Sequence, residues 1–189
     1  MANANTVFGA RQTGSLISAS TNERVQTFTV PATDATALFV GDFVKLTGTA
    51  AVGPDGHYHP VVTQAATNET LIGFVVGFEA DPDNLNKIYR TASTLRNVRV
   101  QTDPYVILEI QAQGTLAAAD IGLNADIIVG AGDPNTGISG MELDLSTKNT
   151  ASRQLRILDI VPREDNEFGQ YSKVLCLINE HRYKTISGV

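Results

Sequence analysis

Short apolar runs, each ended within a few residues by a turn, constrain this chain more than any other feature. The run "VQTFTV" alternates and stops at Pro31, and "RNVRVQT", "YVILEIQAQG", "MELDL", "RQLRILDIV" and "SKVLCLINEHRY" share its texture. β-Branched residues in period-2 alternation mark strands with one buried face. Between the runs stand clusters such as Pro54-Asp55-Gly56 and Asp133-Pro134-Asn135, which are turn chemistry. The spacing predicts about nine to eleven short strands and an all-β sandwich or barrel. Within "ETLIGFVVGFEA", Gly73 and Gly77 predict bulges or a sharp bend. The stretch "AAADIGLN" reads as a loop with a helical turn, because Gly122 and Asn124 interrupt any longer helix. No alternation of strand with long helix argues for a doubly wound sheet, and no period repeats cleanly enough for a solenoid.

The stretch "ADIIVGAGDPNTGISGMELD" contains G-x-x-x-x-G-I-S from Gly132 to Ser139, one residue away from a phosphate-binding loop. That motif needs a lysine after its second glycine and a helix opening behind it. Ile138 stands in the lysine's place, Asp133 puts a negative charge in the supposed cradle, and Met141–Leu145 alternates as a strand does. The segment therefore reads as a turn between strands.

Other candidate chemistry is sparse. His57 and His59 lie two apart near Asp55 and would share a strand face, but a zinc site needs three or four ligands and His181 is remote. Glu79, Asp81 and Asp83 cluster around Pro82 without the glycine and terminal glutamate of a calcium loop. Cys176 sits in "KVLCLIN" and reads as a small buried hydrophobe. No nucleophile–base–orienter pattern is present, so no catalytic residue, metal or cofactor is expected.

The chain has 189 residues and a net charge of −6, which disfavours sequence-independent binding to nucleic acid. No apolar run approaches the ~20 residues of a membrane span. The start of the chain lacks a secretory pattern, so synthesis and use without export are expected. Acids dominate residues 100–147, whereas "KIYRTASTLRNVR" carries four basic residues and no acid. That cluster is expected to meet an acidic surface on a neighbouring copy.

Residues 1–24 are rich in Asn, Ala, Ser, Thr and Gly and sustain no periodicity. They read as an extended arm, distinct from a β-domain over 25–189. Val7, Phe8, Arg11, Leu16 and Ile17 are its candidate interaction residues, seated on a neighbouring subunit or another surface.

Two longer stretches carry a family resemblance. "GTLAAADIGLNADIIVGAGDPNTGISGMELDLST" and "LRILDIVPREDNEFGQYSKVLCLINEHRY" resemble capsid decoration, cement or head-stabilising proteins of tailed bacteriophages. The resemblance covers roughly residues 95–183. It implies an all-β fold, either a jelly-roll-like sandwich or a related antiparallel barrel, and no catalysis. It further implies docking on the outside of an icosahedral head after synthesis in the host cytoplasm. The implied partners are the major capsid protein and further copies of the chain, as a dimer or trimer. An alternative is a virion-associated β-module that binds host-surface carbohydrate. The absence of Trp and the supply of only five Tyr weigh against it.

Overall fold

A computed structural model describes residues 3–17, 24–81 and 84–184. Positions 1–2 and 18–23 of the expected arm, and Pro82 and Asp83 of the acidic loop, lie outside the described residues. The fold is all-β, with eleven strands and two single-turn 3₁₀ segments among the described residues. The strands are β1 (Arg11–Ser15), β2 (Val25–Val30), β3 (Phe43–Val52), β4 (Tyr58–Gln64), β5 (Gly73–Phe78) and β6 (Arg96–Gln101). They continue as β7 (Val106–Gln113), β8 (Asn124–Ile128), β9 (Glu142–Asn149), β10 (Leu155–Ile160) and β11 (Lys173–Ile178). One 3₁₀ turn, Ala118–Asp120, falls inside the predicted helical-turn loop.

The barrel alternative is the one realised, and it occurs twice. Strands β2, β4, β3, β5 and β6 close a five-stranded barrel. The second sheet also closes, because β7 pairs with β11, β11 with β10, β10 with β8, β8 with β9, and β9 returns to β7. The two rings have the same strand order, and in each the first strand pairs in parallel with the third. Each ring thus carries one parallel pair among antiparallel ones.

Backbone hydrogen bonds repeat along with the topology. Gly41 N–H donates to Val75 O at 2.8 Å, and Gly122 N–H donates to Ile157 O at 2.9 Å. Val75 N–H donates to Asp42 O at 2.8 Å, and Ile157 N–H donates to Leu123 O at 2.9 Å. Both glycines have positive φ, +94° and +90°, which the turn requires and other residues adopt poorly. A bulge separates Val75 from Gly77 in β5, and another separates Ile157 from Asp159 in β10. The chain is thus an internal repeat of one barrel, although its sequence shows no clean period.

Each barrel is filled by the inward face of its strands. Phe28, Val30, Leu38, Val44, Val62, Ile72, Val98 and Val100 pack inside the first. The larger cluster joins β7–β11 residues such as Leu108, Ile110, Ile127, Leu143 and Cys176 to Phe43, Leu71 and Phe74 of the first barrel. The two barrels therefore share one core. Backbone contacts also cross the seam: Leu71 N–H donates to Glu180 O at 3.0 Å, and Ser139 N–H donates to Val40 O at 2.9 Å. Apolar surface removed from water contributes about 25 cal/mol per Å², so the shared cluster couples the stability of the two barrels.

The loop that resembles a phosphate cradle is a structural turn. Asp133 Oδ1 accepts the Asn135 N–H at 2.8 Å, and Gly137 N–H donates to Asp133 O at 2.8 Å. A Cβ on Gly140 would run into the Ala131 carbonyl, and one on Gly132 into the Phe39 ring. Its glycines thus serve close packing, and β9 follows it as a strand.

Candidate interaction surface

The described part of the arm lies on its own chain. β1 pairs antiparallel with β7, Arg11 opposite Glu109 and Ser15 opposite Val106, so the arm adds an edge strand to the second barrel of the same molecule. Upstream, Asn3 Nδ2 donates to the carbonyls of Glu167 at 2.8 Å and Gln170 at 2.7 Å. Thr6 N–H donates to Gln111 Oε1 at 2.8 Å, and the Lys173 ammonium donates to the Ala4 carbonyl. Several fixed polar contacts offset the cost of ordering a segment with few apolar side chains, about 1–2 kcal/mol per residue.

The five candidate residues separate into two groups. Val7, Phe8 and Arg11 line a cavity of about 340 Å³ with Glu109, Arg163, Asp165 and Lys173. Phe8 is buried, and the Arg11 guanidinium sits 4.5 Å above its ring. Arg163 reaches the buried Glu109 carboxylate at 2.8 Å. Burial, reinforced by Arg163, holds the Lys173 ammonium below the usual lysine range. This group packs and pairs within the chain.

Leu16 and Ile17 turn outward, 56% and 57% exposed. Leu16 N–H donates to Tyr105 O at 3.0 Å, which places Tyr105, 41% exposed, beside them. The Lys184 ammonium lies 4.9 Å over the Tyr105 ring, and the neighbouring Tyr183 is 50% exposed with its hydroxyl donating to Gln26 Oε1 at 3.0 Å. Leu16 and Ile17 just after β1, Tyr105 before β7 and Tyr183 in the second 3₁₀ turn are thus large apolar side chains left exposed, with Lys184 packed on Tyr105. Tyr105 and Tyr183 escaped sequence reasoning, because each stands at the end of a run whose alternation assigned it to a strand.

Three of the four residues of the basic cluster are engaged within the chain. Arg90 is fully buried and donates to the carbonyls of Thr94 at 2.9 Å, Pro31 at 2.9 Å, Asp34 at 2.8 Å and Thr36. Arg96, also buried, donates to Glu79 O, Lys87 O and Tyr89 O, and its guanidinium lies 5.3 Å from the Phe78 ring centre. Lys87 pairs with Asp81 at 2.8 Å. Desolvation lowers the pKa of both arginines, and backbone carbonyls absorb their charge. Of the four, Arg99 alone projects from the sheet.

The remaining candidates have structural roles. His59 Nε2 meets Asp55 Oδ2 at 2.8 Å in the hairpin between β3 and β4, and this bond lowers the Asp55 pKa to about 2. Among the described residues, no group of three or more His, Cys, Asp or Glu side chains is placed to hold a metal ion. Cys176 is buried in the shared core, where desolvation pushes its thiol far above the usual range. A thiol held protonated in this way is a poor nucleophile. His181 is buried at the seam beside Leu71, where burial and then Lys184 lower its pKa to about 4. Asp42, buried between the barrels, accepts the Phe39 N–H at 2.9 Å and has its pKa raised by desolvation. Arg153 pairs with Asp126 at 2.9 Å, and Lys148 pairs with Asp120 at 2.6 Å. No helix among the described residues is long and apolar enough to cross a membrane. No family model, curated protein or solved structure matches the chain.

Proposed function

We propose that this chain is a structural protein of a tailed-bacteriophage virion, which docks on the outside of the icosahedral shell and bridges neighbouring capsomers. The observation that carries the reading is the exposure of four large apolar side chains, Leu16, Ile17, Tyr105 and Tyr183. Exposed side chains of this kind suit burial against a complementary protein surface. The resemblance of residues 95–183 to phage head-stabilising proteins supplies the class of partner.

The mechanism is linkage. A protein that binds the assembled shell and not its separated subunits stabilises the shell by mass action, about 2.7 kcal/mol per site at a hundredfold excess over Kd. Further copies of the chain, as a dimer or trimer, would add avidity. The major capsid protein is the expected partner, the capsid surface the expected location, and no cofactor takes part. A carbohydrate platform is the weaker reading, because Lys184 already covers one face of Tyr105. Immunogold labelling of purified virions of the encoding phage tests the proposal. Label on the heads is the expected result, and label confined to tails, or none, would refute it.

A further inference from the structure

The internal repeat is broken at the seat that β1 occupies. The bulges align the two barrels, so Phe78 opposite Val98 corresponds to Ile160 opposite Val174. Phe28 opposite Val98 then corresponds to Ile110 opposite Val174. Val25 and Thr27 of β2 are therefore the counterparts of Ile107 and Glu109 of β7.

In an antiparallel ladder, alternate residues turn their backbone groups toward the same neighbour. On β7, Ala112 N–H donates to Ser172 O at 2.8 Å, so Leu108, Ile110 and Ala112 face β11. Ile107 and Glu109 face the other way, opposite Gly14 and Arg11 of β1. On β2, Thr102 N–H donates to Arg24 O at 3.0 Å, so Arg24, Gln26 and Phe28 face β6. Val25 and Thr27 face away, and among the described residues no strand pairs with them there. β4 meets β2 only beyond them, at Thr29 opposite Val61. Both residues are half-buried.

We propose that this edge of β2 is a strand-acceptor seat that takes an extended, acidic segment of a partner protein by antiparallel pairing. The equivalent edge in the same molecule already takes an added strand, which shows that the barrel accommodates one. The charge of the occupant follows from its surroundings. Arg99 projects from β6 directly opposite Thr27, and Arg24 is exposed at the entrance to β2. No salt bridge engages Arg99 among the described residues, so an acidic side chain opposite Thr27 on the outer face of the added strand meets that cation, and Arg24 adds positive charge at the entrance. A second copy of β2 would instead bring four arginines together. The seat rests on the geometry of the two barrels and takes only its partner's identity from the shell-docking reading.

The probe is a synthetic peptide of residues 9–17, the sequence that fills the equivalent seat, carrying Arg11→Glu, titrated into the full chain and followed by amide NMR. The expected result is saturable shifts of the Val25 and Thr27 amides, with at least threefold weaker binding for the unmodified peptide. Thr27→Pro, which removes an outward N–H, should abolish the shift of the Val25 amide. Arg99→Glu, an exposed side-chain change, should reverse the preference between the two peptides. Absence of shifts at Val25 and Thr27, shifts centred instead on Ile107 and Glu109, or an unaltered preference in Arg99→Glu would overturn the proposal. None of these outcomes bears on whether the chain binds capsids, so the two readings fail separately.

Discussion

Gln154, at the entrance to β10, holds the carbonyl of Ala66 in the first barrel, with Nε2 to O at 2.9 Å. The same carboxamide donates to Glu69 O at 2.8 Å and accepts the Ile127 N–H at 3.0 Å, all within the seam. One fully buried side chain therefore satisfies three backbone groups drawn from both barrels.

Gln154→Ala should leave those three groups unpaired inside the seam. Each orphaned group costs about 1–3 kcal/mol, so a total near 3 kcal/mol is expected. For a chain of this size that lowers Tm by roughly 6–12 °C. Calorimetry should still show a single transition, because the core spans both barrels. Two separated transitions in the parent protein would contradict the shared core.

Arg90 should tolerate no replacement, including lysine. Its guanidinium spreads donors over four carbonyls, and a lysine ammonium cannot reproduce that fork. Arg90→Lys should cost about 3 kcal/mol or more in urea unfolding, because a buried charge would lose most of its partners. A loss under about 1 kcal/mol, the scale of an exposed ion pair, would assign Arg90 no structural role.

These two residues show where the sequence was readable and where it was not. Alternation at Val25–Val30, Val106–Gln113 and Lys173–Ile178 locates strands directly, and the glycines and proline of 130–140 locate a turn. Arg90 looks like surface charge in the sequence because its partners are backbone carbonyls, which every residue supplies. The repeat is hidden for a related reason. What the barrels share is backbone bonding around Gly41 and Gly122, and few side chains need match to preserve it. The exposed set of Leu16, Ile17, Tyr105 and Tyr183 was half legible, since the arm residues were singled out and the tyrosines were not.

Acid should weaken the fold through His181. Its folded pKa is lowered from 6.5 to about 4, so the unfolded chain binds the proton more tightly. The stabilisation is fully present above about pH 6.5 and is lost as pH falls toward 4, amounting to about 3 kcal/mol at completion. Comparing the parent with His181→Asn isolates this contribution from those of the carboxylates. Parallel stability–pH curves for the two proteins between pH 7 and 4 would show that His181 does not titrate in this way.

Gly140→Ala should destabilise the turn between β8 and β9, because the new methyl group would meet the Ala131 carbonyl. A cost of about 3 kcal/mol is expected from backbone displacement. Adding ATP should not restore the lost stability, since the loop lacks the charge that holds phosphates. Unchanged melting of Gly140→Ala would refute the packing account of this loop.

The most direct test of the proposed shell docking is cosedimentation of the purified chain with undecorated capsids of the phage proposed to encode it. The account predicts saturable binding that Leu16→Ser combined with Ile17→Ser weakens at least tenfold, about 1.4 kcal/mol, with Tm unchanged. A chain that stays in the supernatant at every capsid concentration would contradict the account.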